Sequence, residues 1–477
     1  VAKQPKFSAT VINPTTTNDE GAPEGVNLDN FYSIMNRSGT YIFIPCRDCW
    51  PRTSIDARLP RMPVLNKHGT PKRDRNGKIV TEPASRWLDK NRPVEALTWA
   101  PGLPLKIPDR LISMGGWIKR KDVSCFNFYR PSLIELGDAT KSGPWLDHVR
   151  KIYPNDADHI IAWLAHRMQR PGDKINHALV LGGEQGIGKD SMLEPVKEAV
   201  GRWNFQEIKP RDLLGRFNPF AKAVILRINE ARDLGDIDRF KFYDLTKVYT
   251  AAPPDVLRVD EKNIPEHYVP NVLGFILTTN HKTDGIYLPA EDRRHYVAWS
   301  DLKQEEFPPG YWNTLWRFYA DGGFGHVAAY LTEFNLSGFD PKAPPPKTPT
   351  FWEIVNVNIQ PEDAELADVI DSLGKPDPNN PNSIIPPDAV TLPELIAAAT
   401  GEVGEWIANR GNRRALPHRL ERCGYTAIPN SNAKDKLWKC NGARVAVYAR
   451  VDLSPGERTA AAEKKTRSCG EEGAGQW

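Results

Sequence analysis

The residues best placed to do chemistry lie in NHALVLGGEQGIGKDS, residues 176–191. An apolar strand runs into Gly183, Glu184, Gln185, Gly186, Ile187, Gly188 and Lys189, which fit the phosphate-loop pattern of two glycines with four residues between them followed by lysine. Glycines are needed there because backbone N–H groups must turn inward around phosphates, where side chains would block them. Lys189 would set its charge against the β- and γ-phosphates, with the positive end of the next helix behind it. The next position holds Asp190 where a Ser or Thr hydroxyl normally binds magnesium, and Ser191 follows. A carboxylate near phosphates is repelled unless a cation lies between them, and it is a good hard ligand when one does. The expected metal donors are therefore Asp190, Ser191 and a downstream acid, Glu230. Pro195 falls inside the expected helix, costing roughly 3 kcal/mol unless the helix kinks or ends early.

Three further motifs follow in order. AVILRINE ends a buried strand in Asn229 and Glu230, where a carboxylate can orient the water that attacks a γ-phosphate. FILTTN ends in Thr279 and Asn280, an amide able to hydrogen-bond the γ-phosphate or that water. EDRRHYVAW places Arg293 and Arg294 ahead of a last strand, suited to stabilising transition-state charge in a neighbouring subunit's site. Lys189, Glu230, Asn280, Arg293 and Arg294 form the catalytic set, and the ligands expected are ATP and Mg2+.

The elements that would position these residues are readable from hydrophobic pattern. From about 150 to 340 helix alternates with strand: HIIAWLAHRMQR is an amphipathic helix, and HALVLGG, FQEI, AVILRIN, VLGFILTTN and HYVAW are near-continuous apolar strands. That alternation predicts an α/β fold with a mainly parallel sheet buried on both faces. At 477 residues the chain needs more than one core. Residues 1–25 read as a flexible lead-in, and 26–150 as a small irregular α+β accessory domain. Residues 341–389 read as a Pro-rich linker with a short helix. Residues 390–452 suggest a winged-helix-like module whose β-hairpin turns at Asn441-Gly442. The stretch 453–477 reads as a disordered tail. Within 66–80 a basic segment with an Asn76-Gly77 turn predicts an exposed hairpin able to contact DNA.

A net charge of +3 is too small to imply nucleic acid by itself, so any such contact must come from local patches. Hydrophobic content of 40% and charged content of 26% are ordinary for a globular chain, and no run has the apolar length to cross a bilayer. A cytoplasmic protein, bacterial or in a phage-infected bacterium, with no membrane partner, is expected. Cys46 and Cys49 form a lone CxxC without a second pair, which predicts reduced thiols rather than a zinc site.

GGEQGIGKDS, LLGRFN, ILRINEARD, YTAAPPDVLRVDEKN, TTNHKTDGIYLP and DRRHYVAW, in that order, resemble the primase-helicase proteins of bacteriophages and prophages, superfamily 3 helicases within the AAA+ ATPases. The resemblance is strongest from about 150 to 345. It implies an AAA+ P-loop NTPase core and a homohexameric ring that hydrolyses ATP while moving on single-stranded or forked DNA, with a primase, polymerase or origin-binding protein as partner. It gives Gly183, Gly188 and Lys189 the role of motif A, Glu230 the acid of motif B, Asn280 the motif C sensor, and Arg293 or Arg294 the finger. It also makes 246–263 a pore segment in which Lys247, Arg258 and Lys262 would grip phosphates. Two departures qualify it: Asn229 stands where many relatives have a second acid, and residues 1–150 lack the carboxylate or zinc clusters of a primase, so polymerase activity is not expected. In the carboxy-terminal module Arg413, Arg414 and Arg419, with His418 and Arg422, surround a helix whose Leu416, Leu420 and Cys423 face inward, a pattern suited to DNA. A helicase is the leading function. An AAA+ ATPase that loads or regulates a replication or defence partner without processive unwinding is the alternative, and a non-hydrolysing DNA-binding scaffold is a third.

Overall fold

The computed structural model describes residues 25–229, 239–282, 286–357, 361–378, 380–409, 412–413 and 416–471. They divide into two compact units, one of residues 1–287 and 291–351 and one of 288–290 and 352–477.

The first unit is built on a five-stranded parallel sheet: β1 (Ala178–Gly183), β2 (Phe205–Ile208), β3 (Ile225–Ile228), β4 (Gly274–Thr279) and β5 (His295–Ser300), in the spatial order β2-β3-β4-β1-β5. Every residue of β1, β3 and β4 is buried, as apolar runs without alternation require of a sheet covered on both faces. The helices that position the site are α1 (Gly143–Ile152), α2 (Ala157–Gln169), α3 (Lys189–Val200), α4 (Arg239–Thr250), α5 (Tyr311–Phe318) and α6 (Phe324–Glu333). The pattern of α2 predicts one buried face, yet Ile160, Ile161, Trp163, Leu164, Ala165, His166 and Arg167 are all buried. Arg167 is tolerated there because its guanidinium donates to the carbonyls of Val272, Arg170 and Asp173.

Residues 26–150 do not stand apart as an accessory body. Ile34, Ile42, Val94, Leu97 and Phe126 share one core with Trp145, Leu179 and Ile276, within one compact unit. They form a four-stranded sheet around Phe31–Ile34 and a three-stranded one around Gly116–Asn127. The basic segment is the exposed hairpin its turn predicts: Arg73 bridges Ile79, and Asp74 Oδ1 accepts from the backbone of Asn76 and Lys78 at 2.8 and 2.9 Å. Cys46 is exposed, Cys49 half-buried, and both are free.

The second unit holds helices Pro361–Ser372, Leu392–Ala398, Gly401–Ala408 and Leu416–Arg422 against an antiparallel sheet of Ala389–Thr391, Val447–Arg450 and Tyr425–Ile428. Asn441 and Gly442 both take positive φ, 49° and 76°, between the paired strands Trp438–Cys440 and Ala443–Val445, the type I′ geometry this dipeptide favours. Two expectations differ from what is found. The Pro-rich stretch 341–389 carries helices Pro349–Val357 and Pro361–Ser372, with Phe351, Ile354 and Leu366 buried, and a hairpin at 375–385. The stretch expected to be disordered forms helix Pro455–Glu471, whose Ala462 is fully buried against Trp438, Val447 and Ala449. Its start obeys a signal the composition hides: Ser454 and Glu457 cap each other's backbone N–H groups, with Pro455 between them at the first helical position. Cys440 in this unit is disulfide-bonded.

A cluster of imidazoles beside the sheet, His166 and His177 buried and His159 half-buried, is expected to make the first unit acid-labile. His159 meets His177 Nε2 to Nε2 at 3.0 Å and stacks on Tyr296 with centroids 3.8 Å apart. Burial lowers His159 to about 4 and His166 and His177 to about 3. These groups are neutral when folded and protonate at 6.5 when unfolded, so the stability they leave intact above pH 6.5 is lost as pH falls from there toward 4 and 3. The thermal midpoint is expected to fall across that window. In His159→Phe, which keeps the ring stack, the slope should shrink by up to about 1.4 kcal/mol per pH unit; an unchanged slope would remove His159 from the cause.

Candidate nucleotide-binding site

The carboxyl ends of β1, β3 and β4 converge on one edge of the sheet, the place where open α/β sheets take ligands. β1 ends in two glycines for a packing reason: a Cβ on Gly182 would lie 2.1 Å from the Trp299 ring of β5. Gly183, Gly186 and Gly188 then take φ of 141°, 87° and 92°, the region side chains rarely adopt, and carry the chain round into α3. Lys189 opens the helix, and its ammonium folds back over the turn to Gly183 O (2.5 Å), Glu184 O (3.0 Å) and Asn280 Oδ1 (2.8 Å). Burial pulls its pKa down to about 8.

Pro195 is accommodated without ending α3. A proline there cannot donate to the carbonyl of Ser191, and the buried Tyr319 hydroxyl donates to that oxygen instead, at 2.9 Å. Trp145 Nε1 donates to the next carbonyl, of Met192, at 2.9 Å. His148 ties the loop to α5. Its Nε2 lies 3.0 Å from Gly188 O and its Nδ1 2.8 Å from the Tyr311 hydroxyl. A carbonyl only accepts, so Nε2 carries the proton and Nδ1 accepts from tyrosine. Burial lowers this histidine's pKa, which favours that neutral form.

Asp190 pairs with Arg227, which also reaches Glu207 at 3.0 Å and the Thr278 hydroxyl at 3.4 Å. Arg227 is buried on β3, whereas the Asp190 side chain is 79% exposed. Asn229 Oδ1 accepts from Thr278 at 3.0 Å, so this amide braces β3 against β4. Together the groups line a cleft of about 580 Å3 bounded by Gln185, Gly186, Gly188 to Ser191, Lys209, Arg227, Asn229, Thr278, Asn280, Gln304, Trp312 and Trp316. Lys209, Arg227, Thr278, Gln304 and the two tryptophans join the cleft although the sequence motifs give them no role. One signal was visible: Arg227 is the single charge within an otherwise apolar strand.

The other expected residues are placed differently. Glu230 and Arg414 lie outside the described residues. Arg293, exposed, and Arg294, half-buried, precede β5, whose first residue pairs with Ala178 at the start of β1. They sit at the opposite edge of the sheet from Lys189, a strand length of roughly 20 Å away. Of the expected DNA grips, Lys247 on α4 pairs with Asp244 at 2.6 Å, and Arg258 with Glu266 at 2.6 Å across the hairpin Val256–Glu261/Ile264–Pro270. Lys262 is exposed at that hairpin's tip, whose Asn263 carbonyl accepts from Arg37 at 3.0 Å. In the second unit Arg413 is exposed, and the Arg419 guanidinium lies 3.8 Å above the Trp406 ring.

Residues 181–294, from the phosphate loop to the arginine pair, match a family of unknown function (DUF5906). Among solved structures, the apo structure of the NrS-1 C terminal region (305–718) is similar at a TM-score of 0.52 and 14% identity, covering 79% of this chain and 92% of that one. An A form apo structure of the same region gives 0.49 at 15% identity, over 79% and 93%. At such identity the first likeness shows a common fold. No curated protein matches the chain. No helix among the described residues is long and apolar enough to cross a membrane.

Proposed function

We propose that this chain is an ATP-hydrolysing motor of the AAA+ P-loop kind, acting as a DNA helicase in phage-type replication. The observation that carries the reading is the meeting of Lys189 with Asn280 Oδ1 across β1 and β4, over a loop of three positive-φ glycines. An ammonium and an amide thus meet beside a glycine turn whose backbone N–H groups can receive phosphate, the parts that binding and in-line attack on a triphosphate require. The fold shared with the NrS-1 C terminal region and the resemblance of the motifs to phage primase-helicases support the same reading.

In this reading Lys189 holds the β- and γ-phosphates, Asn280 orients the attacking water, and Glu230 takes its proton. The donors fit a hard divalent cation, because Arg227 takes only Oδ1 of Asp190 and the rest of that carboxylate is exposed. Mg2+ would be held by Asp190 with Ser191 and Glu230, and would supply charge neutralisation between the phosphate oxygens. Arg293 and Arg294 stand too far from their own chain's loop to serve it, which is the placement a finger needs to complete a neighbouring subunit's site in a ring.

On a forked duplex with ATP and Mg2+, the chain is expected to displace the annealed strand. Its ATPase should be stimulated by single-stranded DNA and concentrated in the assembled, not the monomeric, fraction on gel filtration. A second reading, a loader or regulator without processive unwinding, is favoured by one feature: Lys247 and Arg258 are engaged in ion pairs and the hairpin tip is tied to Arg37. DNA-stimulated ATPase with no strand displacement at any nucleotide concentration would select it over the helicase.

A further inference from the structure

The cleft is walled on one side by aromatic rings that no phosphate needs. Trp312 and Trp316 lie four residues apart on α5, so both present to the same side, one turn apart. Trp312 is the fixed member. Its ring closes on Gly188, where a Cβ would lie 2.7 Å from Cη2, and it packs against Phe307 at 4.8 Å and edge-on to His148 at 5.8 Å. Trp316 is 46% exposed, with Tyr319 edge-on beside it at 5.5 Å. Tyr319 in turn is held to Ser191 of α3 by its hydroxyl, so the ring beside Trp316 is tied to the helix that follows the phosphate loop, and Trp316 itself lines the cleft. An exposed tryptophan on a rigid mount, about 5–6 Å further along the helix than the ring that covers the loop, is where the apolar end of a nucleotide would extend from phosphates held at Lys189.

We propose that Trp316 is the platform on which the base of the bound nucleotide stacks, and that the base is a purine read by its face rather than its edge. This rests on the nucleotide reading of the cleft. A face-on stack is tolerant of base identity, because every base offers a π-surface and the larger purine offers more of it. The polar side chains that line the cleft are consistent with that tolerance. Gln185 and Gln304 line the cleft, and each amide carries a donor and an acceptor that can turn to suit either adenine or guanine. Lys209 adds a cation rather than a base-specific group. The site is thus a phosphate grip with a general purine stack, selecting triphosphates more strictly than it selects between purines.

Calorimetric titration of the full chain with ATP, GTP, CTP and inorganic tripolyphosphate tests this, because tripolyphosphate lacks a base. Trp316→Ala is expected to weaken ATP and GTP by about 5- to 150-fold and to leave tripolyphosphate unchanged, the latter also showing that the variant is folded. Trp316→Phe should recover most of the loss. Wild-type affinities for ATP and GTP should agree within about tenfold, with CTP weaker. Unchanged ATP affinity in Trp316→Ala, alongside loss of both ATP and tripolyphosphate in Lys189→Ala, overturns the stack and leaves the nucleotide site standing. Equal losses for ATP and tripolyphosphate in Trp316→Ala overturn it as well. A preference for ATP over GTP beyond about 100-fold overturns face-only reading. Failure of the wild type to bind either ligand removes the nucleotide reading and the stack together.

Discussion

Lys189→Ala is expected to lower ATP turnover by at least about 100- to 1,000-fold, the scale set by removing one preorganised donor from a transition-state charge. Two carbonyls and Asn280 fix the ammonium over the loop, where the phosphates would lie. The same burial gives the effect a pH signature. With its pKa down at about 8, Lys189 loses its proton above that pH in the empty site, while a bound triphosphate favours the protonated form. Nucleotide affinity should therefore be flat below pH 8 and fall by up to about tenfold per unit above it, with proton uptake visible on titration. The effect on folding has the opposite sign: the unfolded lysine titrates at 10.5, so stability rises as pH climbs from 8 to 10.5. Titrations in two buffers of different ionisation enthalpy check the uptake, and Lys189→Ala should abolish it. Affinity indifferent to pH in the wild type would mean that another cation holds the phosphates.

The fold's central sheet was legible because its physics is local. Strands buried on both faces must be apolar throughout, and HALVLGG, AVILRIN and FILTTN carry that pattern with helices between them. The phosphate loop was legible for a similar reason, since its glycines are demanded by φ values other residues avoid. What pattern could not supply was the far side of the cleft. Trp312 and Trp316 belong to a helix more than 120 residues downstream, and nothing in YWNTLWRF says which of its aromatic rings turns to the core and which to a ligand. Pro195 is the clearest case of tertiary override. The penalty read from the sequence is real, but its remedy, the Tyr319 hydroxyl, is reachable only after the fold brings it to Ser191. In the carboxy-terminal helix position outweighs composition: Gly, Glu and Lys suit a disordered chain, but Ser454, Pro455 and Glu457 form a helix start.

The substitution of Asp190 for the usual hydroxyl gains a partner from the structure, and with it a sharper test. Asp190 is neutralised by Arg227, so the loop's extra negative charge and the buried cation of β3 form one unit. Because the Asp190 and Glu207 side chains are 79% and 35% exposed, breaking the unit should move ligand affinity more than stability. Arg227→Met leaves Asp190 facing the triphosphate without its counter-charge, so nucleotide binding should become strongly dependent on magnesium, which alone can then stand between them. Asp190→Ala leaves Arg227 paired with Glu207 and removes the carboxylate that repels the phosphates. Nucleotide should bind this variant even without magnesium, yet turnover should collapse, and the magnesium concentration for half-maximal activity should rise by about tenfold or more, as loss of a metal ligand requires. Asp190→Thr, with a hydroxyl in the ligand position, should recover part of the turnover. The double variant, lacking both charges, should bind nucleotide more as the parent does than either single variant, which is the mark of a coupled pair. Equal, high activity of the Ala and Thr variants at low magnesium would reduce Asp190 to a counter-ion for Arg227 and leave Glu230 as the acid that holds the metal.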